Sequence, residues 1–178
     1  MKNIVFLRHG QAAGTFFCSE RTLTELGRNQ SEKSALRLKN AGFVPEIIIS
    51  STLKRALQTA EIAKNIIFNN NDVAENNKNT QNVAENVKIP EIKTEKAIAD
   101  QDYDAVMLIL EAAISEYDNI LIVGHVPIFE EIPYNLCGEA PRMRTGSFAW
   151  LEVEGLLPGD RQKNRLKENF IPISNQQL

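Results

Sequence analysis

Four side chains carry most of the chemistry that this sequence offers: Arg8, His9, Arg55 and His125. The chain has only two histidines, and each sits at the end of an apolar run, Ile4-Val5-Phe6-Leu7 before Arg8-His9-Gly10 and Ile120-Leu121-Ile122-Val123 before Gly124-His125. Two guanidinium groups can hold the non-bridging oxygens of a phosphoryl group in bidentate fashion. A neutral imidazole is a nitrogen nucleophile, and a second, protonated imidazole can donate to the same oxygens. Together these groups are equipment for phosphoryl transfer through a covalent histidine intermediate. Two histidines could also ligate a metal, but arginines in the same pocket would repel a cation, and no metal or cofactor is expected. No GxSxG, GxxxxGK[ST] or GxGxxG occurs, which argues against a serine elbow, an NTP-binding loop and a dinucleotide fingerprint.

These residues need a scaffold that brings three strand ends together. Short apolar runs with abrupt polar ends read as strands buried on both faces, the kind found inside parallel sheets. A third such run, Ile47-Ile48-Ile49, ends in Ser50-Ser51-Thr52, with Arg55 just beyond. In open α/β sheets the ligand lies beyond the carboxyl ends of the strands. Three strands are therefore expected to deliver two histidines and two arginines to one edge, with Gly10 allowing a tight turn behind the first pair. Between the strands, Thr24 reads as the N-cap of a helix to about Asn40, stopped by Gly42 and Pro45. Lys54 to about Phe68 reads as a second helix, with Leu57, Ala60, Ile62, Ala63 and Ile66 on or near its inner face.

Later in the chain, Ile89–Thr94 reads as a short edge strand. Asp100, Asp102 and Asp104 open a helix to about Tyr117, apolar enough to be largely buried, where carboxylates suit the helix dipole. A further helix begins at His125-Val126-Pro127, with Pro127 in its first helical position and Pro133 expected to kink or shorten it. Ser147–Val153 reads as a strand, Gly155–Asp160 as a turn and Phe170–Ile173 as a last edge strand, followed by a frayed end. Asparagine dominates residues 69–87, where Asp72-Val73-Ala74-Glu75-Asn76 recurs closely as Asn82-Val83-Ala84-Glu85-Asn86. This stretch reads as a polar insertion.

At 178 residues, 43% hydrophobic and 24% charged, the chain fits one α/β domain over 1–178, three-layer α/β/α with a mostly parallel central sheet. A net charge of −3 offers no global basic field for nucleic acid. No apolar run is long enough to cross a membrane, and the N-terminus lacks a secretory pattern. Cys18 and Cys137 lie far apart without CxxC spacing, so reduced thiols in a cytoplasmic protein are expected.

The ordered motifs resemble those of the histidine phosphatases, the family that includes the phosphoglycerate mutases. Arg8-His9-Gly10 matches their opening motif, and Leu23-Thr24-Glu25-Leu26-Gly27-Arg28-Asn29-Gln30 is similar to LTxxGxxQ. Ser51 to Ala60 is similar to SPLxRAxQTA, with Thr52 in place of proline, and Gly124-His125-Val126-Pro127 matches GHxP. The resemblance implies that His9 is the phosphorylated nucleophile, that Arg8 and Arg55 clamp the phosphoryl group and that His125 completes the pocket. Gly10, Arg21 and Val126 would contact phosphate or substrate. The short SixA-type phosphohistidine phosphatases look most similar, because the chain has little room for a mutase lid and Arg21-Thr22-Leu23-Thr24 resembles their RPLT segment. Ser19 stands near where an aspartate is common, and Gln11 follows the opening motif.

Hydrolysis of a phosphoester needs an acid for the leaving alkoxide, and Asp100, Asp102 and Asp104 are the candidates. A phosphohistidine leaving group demands less help. The expected substrate is thus a phosphorylated protein, such as a phosphohistidine domain, or a small phosphoester. A catalytically idle phosphate-recognition module is the third reading. An open site with a positive rim of Arg21, Arg28, Lys54, Arg142 and Arg144 is expected, because no cover for a small ligand is evident.

Overall fold

The computed structural model describes residues 1–14, 20–69 and 88–173. Six strands form one sheet among these residues: β1 (Lys2–Arg8), β2 (Ile47–Ser51), β3 (Ile92–Glu95), β4 (Asn119–Gly124), β5 (Phe148–Val153) and β6 (Arg165–Phe170), in the order β3-β2-β4-β1-β5-β6. The first four are mutually parallel, whereas β5 runs antiparallel to both β1 and β6. The helices are α1 (Glu25–Asn40), α2 (Lys54–Phe68), α3 (Lys96–Asp100), α4 (Tyr103–Glu116) and α5 (Ile128–Cys137), with a short 3-10 turn at Pro158–Asp160. None of the described helices is long and apolar enough to cross a membrane.

Strand alternation sorts the core into two layers. Ile4 and Phe6 of β1, with Ile120 and Ile122 of β4, pack under α3, α4 and α5. Val5 and Leu7, with Leu121 and Val123, face Ala35 and Leu38 of α1 and Ala56, Ala60 and Ala63 of α2. All eight strand residues are fully buried, which is why these runs are apolar throughout rather than alternating. The result is the expected three-layer α/β/α fold with a mostly parallel sheet.

Several local readings are corrected. The inner face of α2 is Ala56, Thr59, Ala60, Ala63 and Ile67, with Leu57, Ile62 and Ile66 only half-buried. The run from Asp100 does not open one helix. The chain makes the short α3, turns through Gln101 at φ 60°, and restarts at α4 with Asp102 as N-cap. Nor is α4 largely buried: only Val106, Leu110 and Ala113 are, and Leu108 faces solvent, because the helix covers one face of the sheet and has no layer outside it. Pro127 precedes α5 as its N-cap, after a cis Val126–Pro127 peptide. Pro133 does not end α5, which continues to Cys137. The last strand is Arg165–Phe170, not Phe170–Ile173. Cys18, Ser19, the Asn-rich stretch over 70–87 and the end beyond 173 lie outside the described residues.

Candidate active site

Strand register brings the two histidines together. Arg8 of β1 lies opposite Gly124 of β4, so the next residues, His9 and His125, become neighbours above the sheet edge. Their ring centroids are 4.9 Å apart, and the side chains are 8% and 6% exposed. The backbone of His9 is pinned on both sides, its N–H donating to Gly124 O at 3.0 Å and its carbonyl accepting from Gly146 N at 2.9 Å. Arg55, in the first turn of α2, donates from Nε to His9 Nε2 at 3.2 Å. Arg8 donates from its backbone to Ser147 O and from Nη1 to Met143 O.

The tautomer of His9 follows from these partners. Nδ1 is 2.7 Å from the carbonyl of Gly10, which can only accept, so Nδ1 carries the proton. Nε2 faces a guanidinium that can only donate, so it holds the lone pair. The unprotonated nitrogen of His9 is thereby Nε2. Burial is the main cause that pushes the His9 pKa down to about 4, and Arg55, Arg8 and Arg21 push in the same direction against the Gly10 bond. Burial, then His9, Arg55 and Arg8, push His125 down to about 2. The sequence reading expects His125 protonated when it grips phosphoryl oxygens; burial and the neighbouring cations favour the neutral form of both rings.

These depressed values carry a consequence for stability. An unfolded histidine takes up its proton near pH 6.5, whereas the folded rings resist it. Their contribution is therefore complete above about pH 6.5 and is lost as pH falls towards 4 for His9, and further down for His125. Urea midpoints of the wild type are expected to fall more steeply between pH 7 and pH 4.5 than those of a His9→Ala, His125→Asn variant. Equal slopes would contradict the neutral assignment.

Gly10 earns its place through contact rather than through a turn. A Cβ there would lie 2.1 Å from Gly27 O, and one on Gly27 would lie 1.9 Å from Gln11 O. The loop after β1 thus presses on the N-terminal end of α1, and Gly10 N is held by Thr59 Oγ1 at 3.2 Å. Arg21 donates to the carbonyls of Ala12 and Ala13, both at 2.8 Å, and its charge is felt at His9 and Arg55. It is half-buried, whereas Arg28, Lys54, Arg142 and Arg144 are exposed. Val126 is half-buried beside His125 in sequence.

Two of the three aspartates have other partners. Asp100 pairs with Lys96, Asp102 caps α4 by accepting from Ala105 N at 3.1 Å, and Asp104 is exposed in the first turn of α4. Among the described residues, no carboxylate is one of the charged groups that act on either histidine. Glu130, which the sequence did not single out, acts on Arg8 and accepts from Met143 N at 3.1 Å, while Met143 O accepts from Arg8. Ser51 was also missed as a site group, and its Oγ lies 2.8 Å from His125 Nε2. Neither Glu130 nor Ser51 stands out without the tertiary fold, although Ser51 lies in a quoted motif.

Arg8 Nε and His125 Nδ1 are buried without a hydrogen-bond partner among the described residues. Arg8 and Arg55 form no salt bridge there either. Buried donors and cations arranged in this way favour an anion.

A family model described as the histidine phosphatase superfamily (branch 1) matches residues 4–73. A 2,3-bisphosphoglycerate-dependent phosphoglycerate mutase of Corynebacterium jeikeium (strain K411) is 39% identical over 66 residues, 34% of this chain and 26% of that protein. The match thus spans about a quarter of that relative. The structure of the protein histidine phosphatase SixA complexed with tungstate superposes with a TM-score of 0.72 at 21% identity, covering 95% of this chain and 96% of that one. A SixA structure from Agrobacterium tumefaciens gives 0.71 at 23% identity, over 96% and 98% of the two chains. At such identities the superpositions establish a shared fold.

Proposed function

We propose that this chain, whose residues 4–73 match the histidine phosphatase superfamily model and whose fold matches that of SixA, hydrolyses a phosphohistidine side chain carried on a protein, through a covalent intermediate on His9. The observation that carries this reading is the state of His9: neutral, with Nδ1–H held by Gly10 and the Nε2 lone pair beside Arg55. In the first step, Nε2 forms a bond to phosphorus while the bond from phosphorus to the substrate nitrogen breaks. The departing nitrogen retains that electron pair and takes a proton from solvent. In the second step, water attacks the phosphoryl group on His9, releasing phosphate and restoring the ring. Arg8 and Arg55 neutralise charge on the equatorial oxygens in both steps. That no carboxylate of the described residues acts on the histidines suits an imidazole leaving group, which needs less acid assistance than an alkoxide.

A second reading, hydrolysis of small phosphoesters, draws on the turn between α3 and α4. Gln101 in that turn accepts from Ile128 N at 3.1 Å, which ties the segment bearing Asp100 and Asp102 to the start of α5, close in sequence to His125.

A substrate panel separates the two. The wild type is expected to prefer a phosphohistidine protein over p-nitrophenyl phosphate at matched concentration, and a large preference for the ester would overturn the first reading. The same panel tests the arginines. The sequence reading groups Arg21 with Arg142 on the rim, whereas the structure separates them. Arg21→Ala should lower kcat/KM on both substrates. Arg142→Ala should lower it only on the protein, with a loss that shrinks at high salt, because exposed charge mainly speeds encounter and is screened. Equal losses on both substrates for Arg142→Ala would place that residue in the pocket and remove this argument for a protein partner.

A further inference from the structure

We infer that the buried hydroxyl of Ser51 sets the tautomer of His125 and so makes that ring a neutral donor through Nδ1. The role this gives His125 in catalysis rests on the phosphatase reading above, but the tautomer does not.

Ser51 ends β2 and is fully buried. Its Oγ lies 3.2 Å from the backbone N–H of Leu53, which can only donate, so Oγ accepts there. The hydroxyl proton then needs an acceptor of its own, because a buried O–H left unpaired is costly. His125 Nε2 is 2.8 Å away, and the neighbouring Ser50 hydroxyl does not compete, since it donates to Ser51 O at 3.0 Å. Ser51 therefore donates to Nε2. In a neutral imidazole the proton must then sit on Nδ1. That nitrogen is buried and without a partner among the described residues, in a ring whose centroid is 4.9 Å from that of His9.

Among the described residues, the charged and titratable groups that act on His125 are His9, Arg55 and Arg8, all of which oppose a positive ring. A donor that needs no charge resolves the conflict between donating to a phosphoryl oxygen and lying among cations. Both histidines thus carry Nδ1–H but spend it differently. His9 gives its proton to the Gly10 carbonyl and turns its lone pair towards the Arg55 guanidinium, whereas His125 gives its lone pair to Ser51 and keeps an N–H that meets no partner among the described residues. One carbonyl and one hydroxyl divide a pair of identical side chains into nucleophile and donor. Ser51 is a positioning residue, acting on the phosphoryl group only through His125.

The tautomer is readable by long-range proton–nitrogen NMR of the imidazole rings at pH 7. The protein has two histidines, so His125→Gln assigns both. In the wild type, His125 should show a protonated Nδ1 and an unprotonated Nε2. In Ser51→Ala its pattern should move towards Nε2–H, and kcat on p-nitrophenyl phosphate should fall about tenfold, the order expected for loss of a group that orients a functional imidazole. KM should change much less. An Nε2–H pattern for His125 in the wild type, or an unchanged pattern in Ser51→Ala, would overturn the inference, and the wild-type spectrum decides even if the variant fails to fold. A wild type that shows the Nδ1–H pattern but hydrolyses no phosphoryl substrate would sink the phosphatase reading and leave the control of the tautomer by Ser51 standing.

Discussion

His9→Ala is expected to abolish turnover, by on the order of 10⁵–10⁶-fold, since removing a covalent nucleophile leaves only binding and electrostatic assistance. The fold should survive. The two backbone bonds that pin residue 9, to Gly124 and Gly146, do not involve the ring, and alanine keeps both. The ring itself is a buried neutral histidine surrounded by cations, so its loss should make the protein less sensitive to acid. Circular dichroism and a melting curve at pH 7 check the fold, and rapid-quench labelling from a phosphorylated substrate checks the chemistry. Acid-labile label should map to His9 in the wild type and disappear in the variant. Label on a serine or on His125 would reassign the nucleophile. Because attack requires a neutral ring, the acid limb of kcat/KM in the wild type should lie near the His9 value of about 4 rather than near 6.5.

Arg55→Ala should cost about 10²–10³ in kcat, or roughly 3–4 kcal/mol, the typical loss when one preorganised donor to a developing anion is removed. Arg55 sits half-buried in the first turn of α2, with Nε on His9 Nε2, and so lies beside the proposed nucleophile. Burial, followed by the charge of Arg21, lowers its pKa, but a guanidinium stays protonated at neutral pH. Arg55→Lys should rescue little, because an ammonium cannot present two parallel donors to a phosphoryl group. Single-turnover rates on p-nitrophenyl phosphate measure the chemical step directly. Near-normal rates in Arg55→Lys would show that this residue supplies only a diffuse field.

Much of the fold was legible in the sequence, for one physical reason. Strands covered by helices on both faces must be apolar throughout, so Ile4–Leu7, Ile47–Ile49 and Ile120–Val123 announce themselves, as do the polar residues at their ends. The N-cap Thr24 and both ends of α2 were equally plain. β6 was not, because it is an edge strand with a half-exposed, charged sequence. Arg165 and Lys167 pair with Glu152 of β5, and Glu168 pairs with Arg37 of α1, contacts that leave no hydrophobic pattern.

The site divides in the same way. Arg8, His9, Arg55 and His125 could be found by type and position, since each ends a strand or opens a helix at one sheet edge. Their states could not. Whether a histidine is neutral, and which nitrogen holds its proton, depends on burial and on partners distant in sequence. Ser51 reaches His125 because β2 pairs in parallel with β4, Ser50 opposite Val123. Glu130 reaches the Met143 peptide because α5 returns over the sheet. Sequence alone placed the reactive groups at one edge, through local hydrophobic patterning. Only strand register and burial, both non-local, decided which partners each ring meets.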